Sequence, residues 1–465
     1  MRSNAHLCHA ALLGIAVIIA SGCNGDRPAD TERVYRLETV GPAQIVQLFA
    51  DGFDQLSQKE KLFAYYLYLS SIAARDISID QHHPRALEVR DLMEELYTHS
   101  SAVDREVRSK IEKYLKLFWV NNGFYDHLTS RKFTLDCTVD EFREALTAAE
   151  QAGARFAAAG ESLDDVLERL HPLLFDPGID SLLTNRTPGI DWIKGSAVNF
   201  YGPGISLPEV ERWAAKGMER FPLNSKVVKD GRTLREDVWR AGGDGVQPGP
   251  YAALIEKSIE YLEQAISYAA SEHQAEVLRL LIRYYRTGDP EDFRKFNILW
   301  VKDTSVVDFI HGFIEVYLDP RGMKGQFETL IYYTNPHQTA LMRNLATAAQ
   351  YFEDRAPWKD EYKKKIDRSP IANVINVVIG TGGTGPVPPI GINLPNEQAI
   401  REQYGSKSVL LQNVQDAIDN SRGEDLLKEF AWDDEEIQNT RRYGTRANNL
   451  HTALHEVVGH GFDLE

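Results

Sequence analysis

Between about residue 40 and residue 290, apolar side chains recur at the three-to-four spacing of amphipathic helices, and the sequence carries its own helix starts. Ser57-Gln58-Lys59-Glu60 has the Ser-x-x-Glu form, in which the first side chain takes an amide of the opening turn and the glutamate reaches back to the cap amide. It opens the run KLFAYYLYLSSIAARD, and Thr138-Val139-Asp140-Glu141 repeats the device ahead of FREALTAAEQAGARF. Strands read only later, at Asn297–Val301 (NILWV) and at 371–380 (IANVINVVIG), while Gly202-Pro203-Gly204 and Gly242–Gly245 mark loops. The expected class is therefore α+β, predominantly helical. With 465 residues, two or three domains are expected at about 150 residues each. A content of 43% hydrophobic and 26% charged residues is that of a folding, globular chain. The formal net charge of -16 repels phosphate polymers, so nucleic acid is excluded as a partner.

The first 23 residues read as a leader. Arg2 supplies a short basic region, Ala10–Ala20 an apolar run, and Ala20-Ser21-Gly22-Cys23 ends on a cysteine behind small residues. The run is shorter than the roughly 20 apolar residues of a membrane span and has the length of a signal core. The small residues before Cys23 resemble the bacterial lipoprotein box, so Cys23 is the expected lipidated residue and the membrane an expected partner. An ordinary secretory signal is the alternative. Asn24, in place of an aspartate, favours the outer membrane, facing periplasm or surface. Cys137 is then the one internal thiol, and no intramolecular disulfide is available.

Gly380-Thr381-Gly382-Gly383-Thr384-Gly385 has the form G-x-G-x-x-G after a strand. A dinucleotide site needs a helix to open there, yet Pro386, Pro388 and Pro389 follow and push their predecessors out of helical geometry. A rigid turn between strands is expected instead.

Chemistry enters at His455-Glu456-Val457-Val458-Gly459-His460. Two neutral imidazoles are zinc ligands, and a carboxylate beside the first can take the proton of the water that attacks a peptide carbonyl. The usual offset between such histidines is four residues; here it is five. On a regular helix that splays the rings by about 140°, so a one-residue π-type bulge is expected, with Gly459 to absorb it. His451 lies one turn earlier. It is either a substitute ligand or, as preferred here, a solvent-facing histidine or one that orients a ligand from behind.

His-Glu-x-x-Gly-His resembles the zinc motif of the dipeptidyl peptidase III family. FIEVYLDPRGMKGQFE at 313–328 and GINLPN at 391–396 are similar to that family's cleft and substrate-binding segments. FAYYLYLSSIAARDISIDQ, FWVNNGFYDH and LNSKVVKDG resemble its bacterial members, so the likeness runs in family order from about residue 35 to 461. The resemblance implies a two-lobed fold, with a small β-barrel in the lower lobe and a helical, zinc-carrying upper lobe. On that scheme the lower lobe takes residues 24–335 and 376–425, and the upper lobe begins in 336–375 and 426–465. It also implies His455 and His460 as zinc ligands, Glu456 as general base, and Tyr317 as a donor to the carbonyl oxygen of the tetrahedral intermediate. Glu315, Asn393 and Asn396 would hold the free α-ammonium and first peptide unit of an oligopeptide, with Glu328 lining the same region. The implied activity is release of dipeptides from oligopeptide N-termini.

The sequence departs from the family at its end. The third zinc ligand, a glutamate on a helix beyond the histidine motif, is not found before Glu465, and Phe462-Asp463-Leu464-Glu465 does not match the family's continuation. A C-terminally truncated member with an incomplete metal site is therefore expected. The alternatives are a peptide-binding lipoprotein that does not cut and a degenerate gene fragment.

Overall fold

The computed structural model describes residues 33–156, 161–363, 365 and 371–454. A hairpin of β1 (Arg36–Val40) and β2 (Ala43–Val46) precedes six helices: α1 (Gln58–Ala74), α2 (Asp76–His82), α3 (Ala86–Thr98), α4 (Arg105–Asn121), α5 (Val139–Gln151) and α6 (Leu163–Phe175). Both expected capping boxes are formed, Ser57 with Glu60 and Thr138 with Glu141. Ser162 and Asp165 add a third, with the shorter acid in the reciprocal position. Each cap satisfies amides that the helix leaves over and contributes about 1 kcal/mol.

After α7 (Leu207–Ala214) and a hairpin of β3 (Ser225–Asp230) and β4 (Thr233–Val238), helices α8 (Ala252–Ile266), α9 (Glu272–Thr287) and α10 (Pro290–Lys302) follow. The expected strand at Asn297–Val301 lies inside α10 and is helical. Asp289 caps the helix by accepting from the Glu291 amide, Pro290 occupies its first turn, and the buried residues Asp292, Phe293, Phe296, Trp300 and Val301 share one helical face. The five-residue apolar run is that face seen through too short a window.

The β structure that organises the rest is one curled sheet, a half-barrel of five strands in the order β5-β6-β7-β9-β8. β5 (Val307–Glu315) and β6 (Gln326–Thr334) pair antiparallel, and after α11 (Pro336–Thr347) and α12 (Ala349–Glu353) the chain returns as β7 (Ile371–Gly382) against β6. β8 (Gly391–Leu394), α13 (Gln398–Tyr404) and β9 (Lys407–Leu411) follow, β9 lying parallel to β7 and antiparallel to β8. Helices α14 (Gln412–Ser421), α15 (Glu424–Phe430) and α16 (Asp434–Leu454) end the described chain.

β6 is buried from Gln326 to Tyr333 without alternation, because elements cover both of its faces. α1 packs across β5, β6 and β7, and α11 and α14 pack on β7. The main core runs through Phe63, Phe118, Trp239, Phe309, Phe313 and Leu330, and Met342, Val374 and Leu410 form a small separate cluster. Among the described residues no helix is long and apolar enough to cross a membrane.

Candidate active site

Three strand ends and one turn build the site. The β5–β6 register shifts between Phe313 and Glu315, where the pairing passes from Phe313–Phe327 to Glu315–Gln326 with one extra residue on β5. Such a bulge re-aims the side chains that follow it. Glu315 and, two residues on, Tyr317 are those side chains. Glu328 lies on β6, in register with Gly312 on one side and Gly382 on the other. Asn393 lies on β8 opposite Ser408, and Asn396 follows the strand. Arg294 of α10 ties that segment down, its Nε donating to Glu397 Oε1 at 2.7 Å.

Glu315, Tyr317, Glu328 and Asn396 come together. The Asn396 side chain hydrogen-bonds the Glu315 carboxylate, which holds its pKa down, while the larger effect of burial raises it. Glu328 is 1% exposed, and its Oε2 is buried without a hydrogen-bond partner. Burial first and the charge of Glu315 second push its pKa well above the usual carboxylate range. The Tyr317 ring is 76% exposed, and the charge on Glu315, then desolvation, then Glu328 raise its phenol pKa. The phenol therefore stays protonated and able to donate. Asn393 Oδ1 is a second buried acceptor without a partner. A buried carboxyl oxygen left unsatisfied is costly unless a ligand completes it.

The glycine-rich turn, which binds no nucleotide in the expectation above, has a packing reason in this structure. A Cβ on Gly383 would lie 2.3 Å from Glu328 Oε2 and 3.3 Å from Gln326 Oε1, so the glycine leaves the volume that the carboxyl fills. Thr384 Oγ1 donates to the Thr329 carbonyl at 2.6 Å, and Asn122 Nδ2 reaches the carbonyls of Gly382 (3.2 Å) and Gly385 (2.7 Å). Asn122 can do this because it ends α4 in the left-handed conformation, φ 54°. Gln326 is held from behind, its amide donating to Ser78 Oγ at 3.3 Å and meeting His82 Nε2 at 3.2 Å. Burial lowers the His82 pKa to about 4, so this imidazole is neutral near pH 7 and accepts.

Sequence reasoning missed Gly383, Arg294 and the role of Asn122. The Asn-Asn-Gly at 121–123 is a readable left-handed helix end, but its partners lie 260 residues away. Cys23, His455, Glu456, Gly459 and His460 lie outside the described residues. His451 is exposed in the last turn of α16. Among the described residues no group of three or more His, Cys, Asp or Glu is placed to hold a metal.

The family model for peptidase family M49 matches residues 236–462, a span that contains β5 through β9 and the His455–His460 motif. Over 447 residues the chain is 25% identical to the dipeptidyl peptidase 3 of Nematostella vectensis, covering 88% of this chain and 60% of that protein. The chain belongs to peptidase family M49, the dipeptidyl peptidase III family. The human dipeptidyl peptidase 3 is also 25% identical, over 88% of the M49 chain and 59% of its own length. The chain thus spans about three fifths of the curated relatives it matches. The solved structure of DPP III from Caldithrix abyssi superposes with a TM-score of 0.63 at 18% identity, over 87% of this chain and 64% of that one. That likeness establishes the fold as the α+β, two-lobed architecture of the family.

Proposed function

We propose that this M49 chain is a metal-dependent exopeptidase that releases dipeptides from the free N-termini of oligopeptides. The observation that carries the reading is the buried, unsatisfied Glu328 carboxyl beside Glu315, Asn396 and the exposed Tyr317 phenol. An α-ammonium supplies both the positive charge and the donors that this pocket lacks. Glu315 takes the charge, and Asn393 and Asn396 offer amides to the first peptide unit. Tyr317, protonated, donates to the carbonyl oxygen as negative charge develops on it. The distance from ammonium pocket to phenol then fixes the bond that is cut.

The family match includes His455, Glu456 and His460, and two imidazoles suit zinc. A catalytic zinc takes a third protein ligand beyond these two. Bound there, the metal would supply water activated at neutral pH, with Glu456 to accept its proton. The leader and Cys23 support a lipid-anchored protein of the bacterial outer membrane, facing periplasm or surface.

The pocket is tested by calorimetry with a tetrapeptide. Glu315→Gln is expected to weaken binding of the free-amine peptide roughly tenfold or more and to leave binding of the N-acetylated peptide unchanged. Equal affinities of the wild type for the two peptides would remove the ammonium reading.

A further inference from the structure

We propose that Arg186, with Thr184, is a positioning residue for Tyr317, acting through the backbone of the loop that carries it. The inference rests on the peptidase reading above. Among the described residues no hydrogen bond holds the Tyr317 hydroxyl, and the ring is 76% exposed. The place of the phenol is therefore set by its own backbone.

That backbone is held in two ways. The buried Asp319 carboxylate accepts from the amides of Arg321 (3.2 Å), Met323 (2.7 Å) and Lys324 (2.9 Å) and from the Tyr201 hydroxyl (2.8 Å). The carbonyls from Tyr317 to Pro320 are gripped from outside the loop. Thr184 Oγ1 donates to the Leu318 carbonyl at 2.6 Å. Arg186 Nη2 donates to the Asp319 carbonyl at 2.6 Å and reaches the Tyr317 carbonyl at 3.5 Å, and Nε donates to the Pro320 carbonyl at 3.1 Å. Four consecutive carbonyls, from residue 317 to 320, are thus taken by two side chains two residues apart.

The gripping segment is itself fixed. The Leu183 amide donates to the Ser130 carbonyl at 2.8 Å, the Val198 amide to the Leu183 carbonyl at 3.2 Å, and the Asn185 amide to Ser196 Oγ at 2.8 Å. A planar guanidinium is suited to this task, since one rigid fork serves several oxygens at once; an ammonium on a flexible stem does not. The backbone carbonyls that Arg186 serves lie more than 130 residues away in the chain, so the contact joins two separate loops.

The test is a double-mutant cycle on the full chain, with steady-state cleavage of a tetrapeptide and hydrogen exchange of the 317–322 amides as its two measurements. Arg186→Met is expected to lower kcat roughly 10- to 100-fold with KM within about twofold, as a misplaced catalytic group does. The loss should vanish in a Tyr317→Phe background, because the variants act on one group. Arg186→Lys should fall between, and the 317–322 amides should exchange faster in both arginine variants while β5 and β6 keep their protection. An equal loss with and without Tyr317, a change confined to KM, or unaltered exchange overturns the proposal. Turnover unaffected by Arg186→Met overturns it alone. A wild-type chain that releases no dipeptide overturns the parent reading and this one with it.

Discussion

At the scale of single residues, the carboxyl pair makes opposite demands on pH. Glu315 must be charged to hold an ammonium, and burial has raised its pKa, so peptide affinity should fall with acidity starting above the pH at which an ordinary glutamate protonates. Glu328 is raised further and holds a proton in the folded state at pH values where the unfolded chain has lost it. The native state then binds more protons than the unfolded state. The stability tied to that proton is complete below the ordinary glutamate pKa and is lost as pH rises through the folded value. Glu328→Gln should therefore melt higher than the wild type, with the difference growing from pH 4.5 to pH 8; a constant difference would show that Glu328 is not held protonated. Gly383→Ala places a methyl 2.3 Å from Glu328 Oε2 and should displace the carboxyl, at a cost of about 1–3 kcal/mol in urea unfolding and with weaker peptide binding. Unchanged affinity in that variant would contradict the packing role of the turn. These residues were legible unevenly. Glu315, Tyr317, Glu328, Asn393 and Asn396 came from motif likeness, because a lone Tyr or Asn carries no local signal of a site. Gly383 could be read as a turn residue, but the carboxyl it makes room for lies 55 positions away on a neighbouring strand.

At the scale of elements, what could be read was what is encoded within a few residues. The capping boxes at Ser57 and Thr138 are complete in four residues each, and both formed. The β7 run was long enough to be read as a strand and is one. The stretch Asn297–Val301 was not, since five apolar residues fit either period, and the deciding features were Asp289 and Pro290 upstream. Nothing local shows how the strands are joined. β5, β6 and β9 meet at Asp308, which accepts from Trp300 Nε1 (3.2 Å), the Tyr332 hydroxyl (2.9 Å) and Lys407 Nζ (2.8 Å), while Lys407 stacks over the Trp300 ring at 4.3 Å. Removing one partner of a buried pair strands the other. Lys407→Met should cost about 3–5 kcal/mol in denaturant unfolding, whereas a loss under about 1 kcal/mol would mean that Asp308 needs no counter-charge.

At the scale of the whole molecule, a sheet whose β6 strand is buried on both faces, and which packs against α1, brings three strand ends and a loop together as the candidate site. The family assignment accounts for the arrangement, and the proposed substrate, a peptide with a free amino terminus, is the one whose chemistry complements Glu315 and Asn396. The acidic balance of -16 disfavours nucleic acid as a partner. If Cys23 is the lipid attachment point, Cys23→Ala should move the expressed protein from the membrane to the soluble fraction; persistence at the membrane would rule that anchor out. The central claim is that this surface counts two residues from an α-ammonium. It is met most directly by incubating the zinc-supplemented full chain with a tetrapeptide and with its N-acetylated form and identifying the products by mass spectrometry. The account predicts an N-terminal dipeptide from the first and an intact second peptide. Cleavage of both, or release of a single residue, would contradict it.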